Sequence, residues 1–367
     1  MFKGAKINKT SLYNSHLKLN AKMVSFAGYD MPITYKKISE EYNAVREHCG
    51  LFDVSHMGQI HISGPDSIKF IQKITINDIN KISNYEAQYS AMCNLDGGLL
   101  DDLIIFRFSK INFIIISNAS NTNKVLDWMH LYCKGFNVSI QTMNTTHSLI
   151  ALQGPNSRDI LNEISNNLID IPFYHLAQTK LMNQSVVLSR TGYTGELGFE
   201  ILAEHHIIQK LWEYFINQGI CPAGLAVRDV LRMEMKYCLY GNDITESTNP
   251  LEAGLSWIVN FQKGDFLGQK ALLDVQVKSC DKQLIGFVMS EQAIPRKGYK
   301  IYVDNNKHIG EVTSGTYSPR LSKGLGLGYI NSNYNKINNT ISIEIRGRLV
   351  DAKITQTPFI RKTSIHN

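Results

Sequence analysis

The chain has 367 residues, of which 43% are hydrophobic and 19% are charged, and this balance excludes a disordered or fibrous protein. Its length is sufficient for two or three domains. The net charge of +6 comes from basic residues that are scattered singly, whereas a nucleic-acid-binding protein would present a denser basic stripe.

The cysteines and histidines predict neither a metal site nor a redox pair. No two of the six cysteines form a C-x-x-C, and the eleven histidines include no H-E-x-x-H. The first residues contain no apolar segment of the kind found in signal peptides. The longest apolar run is interrupted by Arg107 and Lys110, so no membrane span is predicted. We expect a cytoplasmic protein with free thiols.

Helical and strand patterns alternate over roughly the first 275 residues. Apolar residues at Ile38, Tyr42 and Val45 predict a helix that ends at Gly50. The stretch after Asp102 reads as two strands joined at Ser109–Lys110. The other predicted strands are at 59–64, 147–155 and, on either side of a glycine-rich turn, within 185–203. The other predicted helices are at 65–75, 122–133, 156–165, 206–219 and 224–237.

From about residue 280 onward, the sequence contains only strand and turn patterns. Short strands separated by turns are typical of a small β module of Greek-key or barrel type. The sequence therefore predicts an α+β fold with two parts, a body at 1–275 and a C-terminal β domain at 280–362.

Two adjacent aspartates, Asp101 and Asp102, stand at the start of a predicted strand. Neighbouring side chains of a strand point to opposite faces, so at most one of them faces a cavity and the two cannot form a dyad that shares a proton. One interpretation is that both aspartates are ordinary turn residues. The other is that the strand places one of the two carboxylates beside a ligand. The residues alone leave these two interpretations open.

The stretch "RTGYTGELGFE" places Tyr193 and Glu200 around three glycines. A tyrosine ring can stack on a flat heteroaromatic group, and a carboxylate can accept two parallel N–H bonds. The alternative is an ordinary hairpin with Glu200 in solvent. The stretch is not a phosphate loop, because it lacks G-x-x-x-x-G-K-[ST].

Arg228, Arg232 and Lys236 repeat at intervals of four on one predicted helical face. Such spacing usually indicates a solvated basic stripe; the alternative is that one arginine turns inward to hold a ligand. His56, within "DVSHMG", is interpreted as a satisfied core or turn histidine rather than a base.

Successive blocks of the sequence resemble the T-protein of the glycine cleavage system, an aminomethyltransferase family. They cover the chain from about residue 10 to residue 361. The blocks include "LFDVSHMGQIHISGPD", "YSAMCNLDGGLLDDLIIF", "RTGYTGELGFE", "GLAVRDVLRMEMKYCLYGND" and "IGEVTSGTYSPRLSKGLGLGYI".

This resemblance implies a multi-domain cloverleaf around a tetrahydrofolate cavity, with a C-terminal β-barrel as one leaf. The body would comprise two interleaved subdomains. The implied reaction transfers the methylene of an aminomethyl group to tetrahydrofolate, the co-substrate, and yields 5,10-methylenetetrahydrofolate and ammonia. The aminomethyl group is carried by the dihydrolipoyl arm of the partner, the lipoylated H-protein. Nucleic acid and membrane are not expected partners.

The resemblance also assigns roles to individual residues. It implies that Asp101, the first of the pair, is the catalytic aspartate beside the folate nitrogens. Glu200 would hold the pterin edge, and Arg361 would contact the glutamate tail. The other expected folate-binding residues are Arg228, Tyr193, Tyr237 and Tyr89. Leu197 departs from the family, which often has an acidic residue at that position.

A second family-level interpretation is a non-enzymatic folate-binding protein that assists iron–sulfur cluster maintenance. That relative would carry K-G-C-Y-x-G-Q-E, whereas this chain has "KYCLYGND". The flavin-fused folate dehydrogenases are disfavoured by the lack of an opening G-x-G-x-x-G. A pure scaffold protein would need neither Asp101 nor Glu200.

Overall fold

The computed structural model describes residues 7–304 and 307–366. Its first part contains a two-stranded hairpin followed by a helix and a strand. Ala27 and Gly28, with φ of 49° and 81°, form the two-residue turn that suits a twisted hairpin. The elements of this part are α1 (Tyr13–Lys18), β1 (Lys22–Phe26), β2 (Tyr29–Thr34), α2 (Ile38–Glu47) and β3 (Gly50–Asp53).

The next part of the chain forms a five-stranded antiparallel sheet with two helices on one face. Its elements are β4 (Gly58–Ser63), α3 (Ser67–Ile74), β5 (Glu86–Cys93), β6 (Leu99–Ser109), β7 (Asn112–Ser117), α4 (Thr122–Tyr132) and β8 (Ser139–Thr142). The strand order is β5-β6-β7-β4-β8. The predicted pair of strands on either side of Ser109–Lys110 is confirmed by β6 and β7.

The chain then returns to β3 and completes a six-stranded sheet around it. The added elements are β9 (His147–Gln153), α5 (Ser157–Ile164), β10 (Leu176–Leu181), β11 (Gln184–Ser189), β12 (Gly198–Glu204), α6 (His205–Asn217), β13 (Cys221–Pro222) and α7 (Leu225–Glu234). The order β10-β11-β12-β9-β3-β13 puts β12 and β9 in the middle. Only the short β13–β3 pair is parallel among the described strands of this sheet.

The two sheets share a hydrophobic core, and β6 contributes to it with one of its two faces. Phe106 and Phe108 pack in this shared core, with Leu149 and Leu202 from the second sheet. On the opposite face of β6, Leu103 and Ile105 pack in a separate core with residues of α3 and α4. Successive side chains of β6 point to opposite faces, as in any strand, and each face enters a different core.

The last part of the chain forms a closed barrel. Its elements are α8 (Gln269–Lys278), β14 (Lys282–Met289), β15 (Lys300–Val303), β16 (Lys307–Ser318), β17 (Lys323–Asn331), β18 (Thr340–Ile345) and β19 (Arg348–Ile354). The strands close in the order β14-β17-β16-β15-β18-β19. The predicted α+β body with a C-terminal β-barrel is thus confirmed.

After β19 the chain runs back onto the body. The backbone N–H of Phe359 donates to the carbonyl of Glu234, at the end of α7, at 2.9 Å. All six cysteines are free, as the sequence predicts. Within the described ranges, no helix is both long enough and apolar enough to cross a membrane.

Candidate active site

A cavity of about 1120 Å³ lies where the two sheets, the β1–β2 hairpin and α7 meet. Its walls include side chains from β5, β6 and β12, and from the segment that follows α7. Five of the seven residues singled out from the sequence and family resemblance line it together with Asp102: Tyr89, Tyr193, Glu200, Arg228 and Tyr237.

The glycine-rich turn is shaped by the buried side chain of Gln153. A Cβ atom at Gly192 would lie 2.1 Å from Oε1 of Gln153, and one at Gly198 would lie 2.4 Å from its Cδ. The Gln153 amide oxygen accepts a hydrogen bond from the Thr194 hydroxyl at 2.9 Å. Glycines are required at these positions because the backbone wraps closely around the amide. The turn thereby presents Tyr193 to the cavity.

Glu200 lies on β12 and turns into the cavity rather than into solvent, so the simple-hairpin alternative is wrong. The Thr191 hydroxyl donates to its Oε2. Its Oε1 has no hydrogen-bond partner among the described residues. Burial raises the pKa of Glu200, while the Thr191 hydrogen bond and the charge of Arg228 lower it. The carboxylate is placed to accept hydrogen bonds from a ligand.

Arg228 and two tyrosines form a stack along one wall. The guanidinium of Arg228 lies 4.6 Å from the ring centre of Tyr193. The rings of Tyr193 and Tyr237 are stacked, with centres 5.6 Å apart. The Nη1 atom of Arg228 is enclosed and has no partner in the described part of the chain. A buried donor without an acceptor is costly, so this atom indicates a ligand acceptor.

The predicted basic stripe is not a solvated surface. Arg228, Arg232 and Lys236 all line the cavity. Arg232 is 1% exposed, and it pairs with Asp243 at 2.6 Å and with Asp229 at 2.9 Å. Buried arginines are tolerated when carboxylates compensate them, and the sequence spacing does not reveal such partners.

Asp101 does not project into the cavity, so its predicted position is wrong. It is fully buried on the α4 side of β6. The backbone N–H of Asn118 donates to its Oδ2 at 3.0 Å, and the side-chain amides of Asn118 and Asn121 donate to its Oδ1 at 2.8 and 2.6 Å. The strand alternation that separates the two aspartates directs the first one away from the second sheet.

Asp102 is the member of the pair that lines the cavity. Its Oδ2 accepts a hydrogen bond from the Tyr89 hydroxyl at 2.9 Å, and its Oδ1 accepts one from the Asn118 amide at 2.7 Å. The ring of Tyr89 stacks on Trp257, which is 69% exposed. Burial is the main cause that raises the pKa of Asp102. A carboxylate, a hydroxyl and an amide thus form one polar group in the cavity wall.

Arg361 is exposed and lies outside the cavity wall, so the structure does not bring it to the other candidates. From the same segment, Thr357 and Pro358 do line the cavity. Asn118 and Trp257 also line the cavity, and neither was predicted from the sequence. A polar residue directly after the apolar strand β7 was an available signal for Asn118.

His56 is not the satisfied core histidine that the sequence suggested. It is 2% exposed and lines the cavity, where its ring meets the edges of Phe26 and Tyr29 at centre distances of 5.7 and 6.4 Å. Its Nδ1 is enclosed and has no partner within the described residues. Burial lowers the pKa of His56 to about 4, so its ring is neutral at neutral pH.

We expect His56 to reduce stability in acid. Because its folded pKa of about 4 lies below the ordinary value, the unfolded chain binds the extra proton as the pH falls from about 6.5 to about 4. This difference destabilises the fold by about 3 kcal/mol over that interval. Urea unfolding at pH 6.5 and at pH 4 measures how much free energy of unfolding each protein loses on acidification. His56→Gln should lose less than the unmodified protein. His130→Gln, at an exposed histidine, is the control and should lose as much as the unmodified protein; an equal loss in all three proteins would contradict this expectation.

Two family models match consecutive parts of the chain. The GCVT N-terminal domain matches residues 12–263, and the glycine cleavage T-protein C-terminal barrel domain matches residues 282–360. Together they span the cavity-forming body and the closed barrel.

Individual proteins match over nearly the full length. A protein named aminomethyltransferase from Halothermothrix orenii is 41% identical over 96% of this chain and all of its own. Another of that name, from Thermosipho melanesiensis, is 43% identical over 96% of this chain and 97% of its own. The crystal structure of glycine cleavage system aminomethyltransferase T from Bartonella henselae is 30% identical, with a TM-score of 0.92 over 97% of this chain and 99% of that one.

Proposed function

Because the chain belongs to the glycine cleavage T-protein family, the aminomethyltransferases, we propose that it transfers a one-carbon unit to tetrahydrofolate. The donor is an aminomethyl group on the dihydrolipoyl arm of the H-protein, and the products are 5,10-methylenetetrahydrofolate and ammonia. We propose a cytoplasmic location for this reaction.

One observation carries this proposal: two half-buried carboxylates, Glu200 and Asp102, line the same cavity as a stack of aromatic rings. The pterin ring offers a 2-amino group and an N3–H on one edge, and these two parallel donors suit the carboxylate of Glu200. The pterin carbonyl next to N3–H is an acceptor for the unpartnered Nη1 of Arg228. Tyr193, Tyr237 and Tyr89 supply flat apolar surface for the rings.

The geometry supports Asp102, rather than Asp101, as the catalytic aspartate. Only Asp102 lines the cavity, and a group that exchanges protons with a substrate must lie within hydrogen-bond reach of it. Asp101 has no free access to a substrate because three N–H groups already surround it.

The size of the cavity supports a reaction between two bound molecules. Ligand pockets are commonly about 300–1,000 Å³, whereas this cavity has about 1120 Å³. We propose that tetrahydrofolate and the end of a lipoyl arm occupy this cavity together. The exposed Trp257, stacked on Tyr89, lies where the cavity wall reaches the surface.

The proposed activity is tested by mixing the protein with an aminomethylated lipoyl carrier and tetrahydrofolate. Ammonia release that requires both reactants is the expected result. A folate-binding protein for iron–sulfur maintenance would instead bind folate and release no ammonia, and that outcome would reject the transferase.

Removing the Glu200 carboxylate is expected to weaken folate binding. Charge-assisted hydrogen bonds contribute about 1.5–3 kcal/mol, so Glu200→Ala should raise the dissociation constant of tetrahydrofolate by about 10–100-fold. Arg361→Ala is the matched control, because this residue is exposed and outside the cavity. Calorimetric titration of both variants would contradict the assignment if Arg361→Ala had the larger effect.

A further inference from the structure

We propose that Asp101 is a positioning residue that, together with the amides of Asn118 and Asn121, keeps a proton on Asp102. Asp102 then serves as the proton donor to the leaving amine and afterwards takes a proton back from folate. This inference rests on the proposed function for its chemistry, while the location of the proton can be tested without turnover.

The hydrogen bonds of Asp101 favour its ionised form. Its three partners, the backbone N–H of Asn118 and the side-chain NH2 groups of Asn118 and Asn121, all donate to it in the observed arrangement. A proton on either oxygen of Asp101 would displace one of these donors and find no acceptor among them. Carboxylates that accept several N–H bonds are stabilised as anions.

The surroundings of Asp102 can accommodate a proton. One of its two partners is the hydroxyl of Tyr89, at 2.9 Å, and a hydroxyl can accept as well as donate. The other partner is the side-chain amide of Asn118, which also contacts Asp101. The two carboxylates point to opposite faces of β6, yet this single amide links them.

The pair holds more protons than two isolated aspartates would. Burial, followed by the charge of Asp102, raises the pKa of Asp101, and burial raises the pKa of Asp102. The two carboxylates do not exchange a proton directly across β6, but both contact the Asn118 amide, and two like charges this close in a largely buried site do not readily coexist, so the pair binds one proton. Three donors surround Asp101, whereas a proton on Asp102 can be donated to the Tyr89 hydroxyl, and this geometry assigns the proton to Asp102, the carboxyl that faces the cavity.

The other groups near the pair leave this assignment in place. Burial raises the pKa of the neighbouring tyrosines and of the Cys238 thiol, so these groups are neutral at neutral pH. Asp243 also bears on Asp102, but Arg232 pairs with it at 2.6 Å. Lys124, near Tyr240, is paired with Glu246 at 2.8 Å. The tyrosines concerned are Tyr89, Tyr174, Tyr193 and Tyr240.

The protons of the transfer reaction balance if Asp102 acts first as a proton donor and then as a proton acceptor. As the carbon–nitrogen bond of the aminomethyl group breaks, the nitrogen keeps the electron pair, takes the proton of Asp102 and leaves as ammonia. The folate N5 bonds to the methylene carbon and gives its proton to the Asp102 carboxylate. The carbon–sulfur bond then breaks, and the sulfur keeps the electron pair as a thiolate. The folate N10 forms the second bond to the methylene carbon. The proton released from N10 goes to the thiolate.

The test is the pH profile of ammonia release by Asp101→Asn. Without the negative charge of Asp101, Asp102 loses its proton more easily. The pH at which the turnover rate falls on the alkaline side should therefore decrease by one unit or more. The dissociation constant of tetrahydrofolate should change less than threefold. A reduced rate with an unmoved profile would show a purely structural role and overturn the proposal.

Two variants of Asn121 keep the test decisive should Asp101→Asn fail to fold. Asn121→Ala removes one donor from the Asp101 anion without changing any charge, so part of the proton should move from Asp102 to Asp101. The maximal rate of ammonia release should fall, and the alkaline limb of the profile should stay in place or move to higher pH. Asn121→Ser retains a hydroxyl donor and should restore part of the original rate. An unchanged maximal rate for Asn121→Ala, or an alkaline limb moved to lower pH, would contradict the proposal.

Infrared spectroscopy separates this inference from the proposed function, because it requires no turnover. At pH 7 the unmodified protein should show a protonated-carboxyl band that disappears in Asp102→Asn. If the band is present but no ammonia is released, the proposed function fails while the proton assignment stands. If Asp102→Asn leaves the band unchanged, the proton is not on Asp102 and the inference is wrong.

Discussion

Replacing Asp102 with asparagine is expected to lower the rate of ammonia release by about 10²–10⁴-fold, the contribution typical of a group that transfers protons in the transition state. Asparagine has nearly the same shape and can keep the contact with the Tyr89 hydroxyl, but it cannot exchange a proton. The fold and folate binding should therefore change little. Turnover at saturating concentrations of both substrates measures the loss.

Asp96→Asn is the control for Asp102→Asn, because Asp96 is an exposed carboxylate in the turn that leads into β6. It should release ammonia at the rate of the unmodified protein. If Asp102→Asn retained more than a tenth of the original rate, Asp102 would not be the proton-transferring group. If Asp101→Asn lost far more activity than Asp102→Asn, the choice between the two aspartates would be reversed.

Replacing Arg46 with methionine is expected to destabilise the protein by about 3–5 kcal/mol, because it leaves buried carboxylates without their cation. The guanidinium of Arg46 contacts Glu196 at 2.8 Å and Glu234 at 2.5 Å. All three side chains are almost completely enclosed, with at most 4% of their surface exposed. Urea unfolding of the variant and of the unmodified protein measures the difference.

This ion cluster explains why the loss should extend beyond one contact. Glu234, at the end of α7, also accepts a hydrogen bond from Ser318 of the barrel. Glu196, in the glycine-rich turn, accepts one from the Ser364 hydroxyl at 2.6 Å. Arg46 of α2 therefore compensates charges that hold the body, the barrel and the C-terminal segment together.

The surface pair of Arg348 with Glu291, at 3.0 Å, provides the control for Arg46→Met. The Arg348 side chain is 73% exposed, and exposed ion pairs contribute little to stability. Arg348→Met should unfold at nearly the same urea concentration as the unmodified protein. Equal midpoints for Arg46→Met and Arg348→Met would show that the buried cluster does not hold the parts together.

Much of the fold was predictable because local patterns determine it. The alternation along β6 and the apolar spacing of α2 follow the periods of a buried strand and of an amphipathic helix. The separation of Asp101 and Asp102 onto opposite faces followed from the same period. Which of these faces would meet the cavity depends on how β6 packs against the second sheet, and the period does not contain that information.

The candidate site was only partly predictable for a similar reason. Residue chemistry suggested the roles of Glu200 and Tyr193, because both stand in one short stretch with unusual glycines. The inward direction of Arg232 depends on Asp243, a partner that helical spacing does not reveal. Asn118 and His56 acquire their positions only when distant strands come together. Arg361 was expected at the cavity because its position in the sequence matches the family, yet its side chain is exposed and does not line the cavity.

The central claim is that the cavity holds a reduced pterin with its edge on Glu200 and its reactive nitrogens beside Asp102. A crystal structure of the protein with bound tetrahydrofolate tests it most directly. We predict that the pterin donates two hydrogen bonds to Glu200 and that N5 lies nearer to the carboxylate of Asp102 than to any other carboxylate. A pterin bound away from Glu200, or with N5 remote from Asp102, would contradict the claim.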